Sequence, residues 1–154
     1  MSDFAGEYSD GPEQITEGWH SMGLTKYEWR EKDGGNASVF LEFHESAPTN
    51  RKVTAWFNFF GNMAIEEKPG RAKTNEISLQ TFGGLWRAAG MKNKDEYPKP
   101  NKVAFEAKLE ALTGNLVAMV KVIPDTKGVK QEDGTWKQVP NGFMSFKTIK
   151  PVKA

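Results

Sequence analysis

The sequence predicts a mainly β domain: a five-stranded antiparallel barrel with a helix between strands three and four and an extra hairpin arm. Three observations carry this prediction. Apolar residues alternate along three successive segments joined by short turns, which is typical of an antiparallel meander. A segment with helical spacing follows them, and two more strand patterns then flank a polar arm. An antiparallel sandwich with one packed helix is the alternative architecture for the same order.

Length and composition are those of a globular protein. The 154 residues fit one domain that can bury a core, and 38% hydrophobic with 27% charged residues is ordinary for such a domain. No apolar run approaches transmembrane length, and the first residues lack the pattern of a signal peptide. The absence of cysteine excludes disulfides, thiolate metal sites and cysteine nucleophiles, and it suits a reducing compartment. We therefore expect a cytoplasmic protein without a membrane partner.

Charge divides the chain into two parts. Residues 1–17 contain five acidic residues and no lysine or arginine, so residues 18–154 carry 21 basic and 15 acidic residues. We expect 1–17 to be a flexible leader, in which Phe4, Tyr8 and Ile15 dock locally, and 18–154 to be the folded domain. A mildly cationic domain of this kind can bind a polyanion. The acids of the leader are Asp3, Glu7, Asp10, Glu13 and Glu17.

Strand patterns begin near Gly18. Residues 19–31 suit a long strand that bends at Gly23, and a glycine-rich turn follows at 32–36. A second strand follows, and a turn at 46–50 leads into the third. In the second strand Val39, Leu41 and Phe43 alternate with Phe40, Glu42 and His44.

The third strand separates into two chemically different faces. Successive side chains on a strand point to opposite sides, so one face is wholly apolar and belongs in a core. The other mixes cations, amides and aromatic rings, as a surface for single-stranded nucleic acid requires. The alternative is an ordinary half-buried strand whose Trp56 is covered by a loop. The apolar face is Val53, Ala55, Phe57 and Phe59; the mixed face is Lys52, Thr54, Trp56, Asn58 and Phe60, with Arg51 at its mouth.

A helix is predicted after the third strand. Residues 61–73 read as an exposed loop, after which Thr74 or Asn75 can cap a helix that ends at Gly90. Two adjacent glycines, Gly83 and Gly84, weaken the helix, so we expect another element to pack closely there. The predicted inner stripe is Leu79, Phe82, Trp86 and Ala89.

The rest of the chain supplies the last strands. A second loop spans 91–101, and the spacing in 103–112 fits either a short helix or a strand. A strand at 116–123, a polar hairpin arm at 126–142 and a final strand at 143–149 follow. Turns in the arm are predicted at Asp133-Gly134 and Asn141-Gly142. This order is that of an OB-fold, which often binds oligonucleotides.

The sequence offers no arrangement for catalysis. His20 and His44 lie on separate predicted strands without a carboxylate cluster at metal-ligand spacing, so we expect them at the surface or a strand edge. Residues 69–74 contain Gly, Lys and Thr but lack the spacing of a phosphate-binding loop. No serine has the elbow motif of a hydrolase nucleophile. We therefore predict a protein that is not an enzyme and needs no metal or cofactor.

The candidate nucleic-acid-binding residues are aromatic and basic. Bases stack on aromatic faces with little sequence preference while lysine and arginine contact phosphates. Tyr27 and Trp29 share one strand face, so either both stack or both are core, whereas Trp19 and Trp86 suit the core. Each lysine taken alone is more commonly solvated surface. The stacking candidates are Tyr27, Trp29, Trp56 and Trp136, and the phosphate candidates are Lys26, Arg30, Arg51, Lys52, Lys121, Lys137 and Lys147.

Four short motifs between residues 15 and 123 point to a family. They are Glu17-Gly-Trp-His-Ser-Met; Lys32-Asp-Gly-Gly-Asn with Val39-Phe-Leu-Glu-Phe; Asn50-Arg-Lys-Val with Trp56-Phe-Asn58; and Phe82-Gly-Gly-Leu-Trp-Arg-Ala-Ala-Gly90. Together they resemble a tailed-phage family known only as a domain of unknown function. That family is similar in its element order to phage single-stranded-DNA-binding proteins.

The resemblance implies an OB-like fold and a role in phage DNA replication or recombination in the bacterial cytoplasm. Only Arg51 and Asn58 fall on recurring polar positions of the family, and neither inherits a defined contact. Asn50 stands where the family usually has glycine. Many single-stranded-DNA-binding proteins end in an acidic tail that recruits partners, whereas this chain ends in lysines. Recruitment of that kind is therefore in doubt, or it falls to the acidic leader.

Two functions remain open at this stage. The first is sequence-tolerant single-stranded DNA binding without catalysis, alongside replication or recombination proteins. The alternative is a phage protein-interaction module that binds or inhibits a host protein, with the acidic leader taking part, because an acidic segment can occupy a basic groove. Self-association into a homo-oligomer is compatible with either.

Overall fold

The computed structural model describes residues 5–6, 14–46 and 51–152. Its strands are β1 (Gly18–Lys32), β2 (Asn36–Glu45), β3 (Lys52–Phe59), β4 (Val117–Lys130) and β5 (Trp136–Lys150). They form one antiparallel sheet in the order β3–β2–β1–β4–β5. Helices α1 (Asn62–Glu67), α2 (Arg71–Ala88) and α3 (Lys102–Leu112) lie between β3 and β4 in the chain. The predicted mainly β class is confirmed, but within the described residues no ladder joins β3 to β5, so the sheet is not a closed barrel.

The long first strand connects the two halves of the sheet. Its first part, from Gly18 to Gly23, pairs with β4, and its second part, from Met22 to Lys32, pairs with β2. The register with β2 shifts between Leu24 and Lys26, just beyond the bend predicted at Gly23. Such a bulge bends the strand and increases its twist, which lets one strand serve both halves. The predicted start near Gly18 is confirmed.

The core lies between the inner face of the curled sheet and the helices. The inward positions of β2 from Ala37 to Phe43 and those of β3 are apolar, as alternation requires, and the inward position at the end of β2 is the charged Glu45. Phe82 of α2 is central, because its ring lies 5.6 Å from Phe57 and 5.1 Å from Phe105 of α3. Burying a large apolar side chain contributes about 1.5–3 kcal/mol, so this cluster is what holds the helices against the sheet. Its fully buried large members are Phe43, Phe82, Phe105, Phe146, Met22, Leu24, Leu41, Leu85 and Leu109.

Helical structure starts earlier than the sequence predicts. The expected loop at 61–73 is wrong, since it contains α1 and the first turn of α2. Asn75 does not cap a helix; its amide binds the main chain of Phe60 at the end of β3. Arg71 donates to Ala64 O at 3.0 Å and lies over the Phe60 ring. These tertiary contacts stabilise turns that local propensity does not favour.

The second helix packs closely against β5 at a glycine, as predicted. A Cβ on Gly84 would overlap the Ile149 carbonyl oxygen, so only glycine fits there. Phe82 and Trp86 are buried as expected, but Leu79 is 39% exposed and the prediction for it is wrong. Gly90, with φ +96°, follows the helix in the left-handed conformation that terminates helices.

Two uncertain segments are resolved by the structure. Residues 103–112 form helix α3, whose Asn101 cap accepts a hydrogen bond from Ala104 N at 2.9 Å. The predicted turn at Asp133-Gly134 is present at the tip of the β4–β5 hairpin. The one predicted at Asn141-Gly142 is wrong, because that dipeptide lies inside β5 beside a register shift. Gly142 has φ +88°, so the bulge uses the glycine that the sequence assigned to a turn.

Some predictions concern parts of the chain outside the described residues. The turn at 46–50 is described only at Ser46, and Phe4 and Tyr8 are not described. Of the leader, residues 5–6 and 14–17 are described, and Ile15 is buried in the core as the docking prediction requires. In the described residues, no helix has both the length and the apolar composition needed to cross a bilayer.

Candidate functional site

Two aromatic rings lie side by side on the outer face of the sheet. Trp56 on β3 is 44% exposed and faces Phe40 on β2, with ring centroids 5.1 Å apart. The Arg30 guanidinium lies 4.7 Å from the Trp56 ring, and Lys26 Nζ lies 5.8 Å from the Phe40 ring. We call these four residues the Trp56 surface. It combines stacking platforms with cations, which are the two components of a site for single strands.

Strand alternation explains why these residues meet. Leu41 and Val39 point inwards on β2, so Phe40 between them points outwards. On β3 the residues on either side of Trp56, Ala55 and Phe57, are likewise buried, so Trp56 points outwards. The antiparallel register then sets Trp56 directly opposite Phe40. Phe40 was missed as a site residue because its pairing partner depends on register between strands.

Acidic residues neutralise part of the charge on this face. Arg30 lies 3.3 Å from Glu28, and both side chains are exposed. Glu42 contacts Lys52 at 3.7 Å and His44 at 3.3 Å. The exposed Arg30–Glu28 pair is worth about 0–1 kcal/mol, so a phosphate can compete for Arg30. Lys52 is exposed, but its partner Glu42 is largely buried, so that pair is screened less by water.

Arg51 has a structural position. Its Nε lies 2.7 Å from Glu45, which also contacts His20 Nδ1 at 2.7 Å, and all three side chains are largely buried. Removing the arginine would leave Glu45 with less compensation in a low-dielectric setting. Arg51 therefore holds the end of β3 and lies at one end of the adjoining groove.

An open groove of about 1310 Å³ separates the edges of β3 and β5, and we call it the seam groove. Ser145 donates across it to Thr54 O at 3.2 Å, so the two edges approach without forming a ladder. Helix α2 closes one end: Ser78 donates to Asn58 O of β3, and Thr81 donates to Lys147 O of β5. The walls come from residues 52–58 of β3, residues 142–147 of β5 and Thr74, Ile77 and Ser78 of α2, with Gln14, Ile15, His44, Arg51 and Asp125 at the other end.

The groove has an apolar floor and a mixed rim. Phe57 and Phe146, which contact one another, form part of the floor. Trp56 belongs to the rim, which makes the groove continuous with the Trp56 surface. Lys147 and Lys52 are on the same rim, and Phe143, which the sequence predicts only as part of the last strand, is strongly exposed there. Lys147 forms no ion pair within the described residues.

Tyr27 and Trp29 lie on the other side of β1, under helix α3. The Tyr27 hydroxyl donates to Glu110 at 2.9 Å, and Trp29 meets Phe105 edge-on at 6.0 Å. Burial, followed by the hydrogen bond and charge of Glu110, raises the pKa of Tyr27 to about 12. Of the two options left by the sequence, the structure places both residues against the core. They are absent from the Trp56 surface.

One tryptophan that the sequence predicts in the core is exposed in the structure. Trp19 is 38% exposed, so that prediction is wrong, whereas Trp86 is buried as predicted. Lys150 Nζ lies 4.1 Å from the Trp19 ring, and Lys121 of β4 pairs with Trp19 across the sheet. We call Trp19, Lys121 and Lys150 the Trp19 surface.

The last two candidates lie on the hairpin arm. Trp136 is strongly exposed near the tip, where its ring lies beside Gly128 on the facing strand. Lys137 follows it and pairs with Val129. Neither residue lines the seam groove. The structure thus gathers Lys26, Arg30, Lys52, Trp56 and Lys147 in one region and leaves Lys121, Trp136 and Lys137 elsewhere.

Two sequence comparisons bear on the family of this chain. No family model matches the chain, and no curated protein matches it by sequence. The resemblance to the tailed-phage family therefore stays a prediction. The described residues contain no group of three or more acidic or histidine side chains arranged to hold a metal ion.

Proposed function

We propose that this protein binds single-stranded DNA without catalysing a reaction and with little dependence on sequence. The observation that carries the proposal is the Phe40–Trp56 ring pair on the outer face of the sheet, in which Trp56 is exposed and Phe40 is half-buried, flanked by Arg30 and Lys26. Stacking of a base on an aromatic side chain contributes about 1–3 kcal/mol and tolerates any base. Two adjacent rings give consecutive bases a place to stack.

The arrangement of strands supports an OB-like assignment. The order β3–β2–β1–β4–β5 would become a closed five-stranded barrel if β3 paired with β5. OB-folds bind oligonucleotides on the face of strands 2 and 3 and with the loops between strands 1 and 2 and strands 4 and 5. Trp56 and Phe40 lie on strands 3 and 2, and Trp136 flanks the loop between strands 4 and 5.

The biological setting of the proposal rests on the sequence resemblance. A phage protein of this kind would coat single strands during DNA replication or recombination in the bacterial cytoplasm. Replication or recombination proteins would then be its protein partners. The alternative, a protein-interaction module, rests on the acidic leader, of which the structure describes only residues 5–6 and 14–17.

A fluorescence titration tests the proposal. Oligothymidylate and a duplex of matched length would be added to the protein at two salt concentrations. We expect the single strand to quench tryptophan fluorescence and to bind more weakly as salt rises, because stacking and counterion release act together. No binding of the single strand at low salt, or equal affinity for the duplex, would reject the proposal.

A further inference from the structure

The free edge of β3 directs main-chain groups into the seam groove. In an antiparallel pair, alternate residues direct their N–H and C=O groups to the partner strand and the others direct them away. Glu45 N donates to Arg51 O at 2.8 Å. The register then means that the odd-numbered residues of β3 direct their main-chain groups to β2. The even-numbered residues therefore present their main-chain groups to the groove.

Side chains bind the edge carbonyl groups on both sides of Trp56. Thr54 O accepts the Ser145 hydroxyl, and Asn58 O accepts the Ser78 hydroxyl. Among the described residues, no group bonds to either the N–H or the C=O of Trp56. The groove is lined by this residue, so a ligand there can reach both groups.

Phe60, the even-numbered residue that follows Asn58, shows what a free main-chain N–H and C=O of this edge can bind. At Phe60 the Asn75 amide accepts from the main-chain N at 2.7 Å and donates to the main-chain O at 2.9 Å. A planar group with a donor beside an acceptor thus fits this edge. The Watson–Crick edge of every nucleobase carries the same adjacent pair, and single-strand-binding proteins hydrogen-bond bases on that edge.

We propose that the Trp56 main chain and the seam groove form a pocket for one nucleobase of a bound single strand. This inference rests on the proposed function and adds a second kind of contact to stacking. The base edge bonds to the Trp56 N–H and C=O, and its face lies against Ile77 of α2, which is 43% exposed on the groove wall. Lys147 on the same rim contacts the phosphate. All four bases can make the paired hydrogen bond, so the pocket does not impose a sequence.

An extended peptide is the other ligand that a free sheet edge attracts. Strand addition needs main-chain groups free at successive alternate positions of the edge. Ser145 and Ser78 already occupy the carbonyl oxygens of Thr54 and Asn58, the two edge positions flanking Trp56. The single free pair between them favours a small planar group over a strand.

The test compares oligothymidylate with the same oligonucleotide carrying N3-methylthymine. The methyl group removes the N–H donor of the base edge and leaves the ring able to stack. We expect the methylated strand to bind about three- to tenfold more weakly, the range for one lost hydrogen bond. In the complex with the unmodified strand, hydrogen exchange at the Trp56 amide should slow, and the methylated strand should slow it less.

Two variants of α2 provide a matched pair. Ile77→Trp places a bulkier side chain at the proposed base position on the wall of the seam groove, whereas Leu79→Trp enlarges a similarly exposed residue on a different groove of the helix layer. We expect Ile77→Trp to bind both oligonucleotides alike and Leu79→Trp to retain the preference for the unmodified one. Thermal melting of both variants checks that they fold.

The outcomes separate this inference from the proposed function. Equal affinity of the native protein for both oligonucleotides, with tryptophan quenching intact, would overturn the base pocket and leave single-strand binding standing. Retention of the preference by Ile77→Trp would also overturn it. If the protein does not bind oligothymidylate at all, both proposals are rejected together.

Discussion

The Trp56 surface and the Trp19 surface share their components but differ in their surroundings. Each has an exposed tryptophan beneath a cation, at 4.7 Å from Arg30 and at 4.1 Å from Lys150. Trp56 has a second ring, Phe40, beside it, and it borders the seam groove. Trp19 has no aromatic partner among the described residues and does not line that groove.

The cations of the Trp19 surface are less neutralised by acidic residues than those of the Trp56 surface. Arg30 is shared with Glu28, whereas Lys121 and Lys150 form no ion pair among the described residues. Charge alone would therefore direct a polyanion to the Trp19 surface. We expect stacking and groove shape to favour the Trp56 surface, because for a single strand the stacking energy is the larger contribution per contact. We therefore rank the Trp56 surface above the Trp19 surface as the proposed binding site.

Removing each tryptophan in turn tests this ranking with the largest expected effect. Trp56→Ala should weaken oligothymidylate binding by about 1–3 kcal/mol, or about 5- to 150-fold, because a stacking platform is lost. Trp19→Ala should change affinity by less than about twofold. Anisotropy of a labelled oligonucleotide gives both values without relying on protein fluorescence. A larger loss in Trp19→Ala would reverse the ranking of the two surfaces.

The close contact of α2 with β5 provides the second test of the comparison. Helix α2 forms a wall of the seam groove, which adjoins the Trp56 surface and not the Trp19 surface. Gly84→Ala would force the helix from Ile149 O, and overpacking of this kind costs about 1–3 kcal/mol. Better helix propensity offsets about 1 kcal/mol, so we expect a net loss of up to about 2 kcal/mol. Urea unfolding measures it.

The neighbouring glycine is the control. A Cβ on Gly83 would make only ordinary contacts, 3.6 Å from Arg87 and 3.8 Å from Tyr97, so Gly83→Ala should be neutral or stabilising. Gly84→Ala should also weaken oligonucleotide binding, whereas Gly83→Ala should not. Equal stability of the two variants would contradict the close seating of α2.

Local alternation predicted the faces of β3 correctly. Val53, Ala55 and Phe57 are buried and Trp56 is exposed, as a period of two requires. The same rule applied to β1 predicts that Trp19 is exposed. Met22 and Leu24 define the inner side of that strand, so odd-numbered positions before the bulge point outwards. An aromatic side chain was assigned to the core by its size, and strand phase is the better guide.

The remaining features depend on contacts between distant segments. The neighbour of Trp56 is set by the register of β2 and β3, and the groove exists because β3 and β5 approach without pairing. The early start of α2 follows from the contacts of Asn75 and Arg71 with Phe60. None of these is encoded in the spacing of residues along one element.

Cations on the two surfaces give a smaller but separable effect. Each phosphate contact on a single strand contributes about 0.7 to the slope of log affinity against log salt. Arg30→Gln should lower that slope by about this amount, and Lys121→Gln should leave it unchanged. A salt series measured by anisotropy determines both slopes. A reduced slope for Lys121→Gln alone would move the phosphate path to the Trp19 surface.

The smallest effect concerns the inner side of β1, behind the Trp56 surface. Burial and Glu110 raise the pKa of Tyr27 from 10.0 to about 12, so its folded-state pKa exceeds the unfolded one. The stabilisation is fully present below about pH 10 and is lost as pH rises towards 12, because the unfolded state releases its proton first. Tyr27→Phe lacks this titration. The stability difference between the two proteins, from urea unfolding between neutral pH and about pH 11, should therefore shrink above pH 10, and lysine titration common to both cancels.

The same variant separates the two sides of the strand. Because Tyr27 faces α3 and Lys26 beside it faces outwards, Tyr27→Phe at neutral pH should leave oligonucleotide affinity unchanged. A Phe ring also preserves stacking, so Tyr27→Ala is the stricter test, with Trp56→Ala as its reference. If Tyr27→Ala remains folded and loses as much affinity as Trp56→Ala, the single strand reaches the inner side of β1 and α3 must move to admit it. Unchanged affinity restricts binding to the outer face, where Trp56 and Phe40 are the stacking pair.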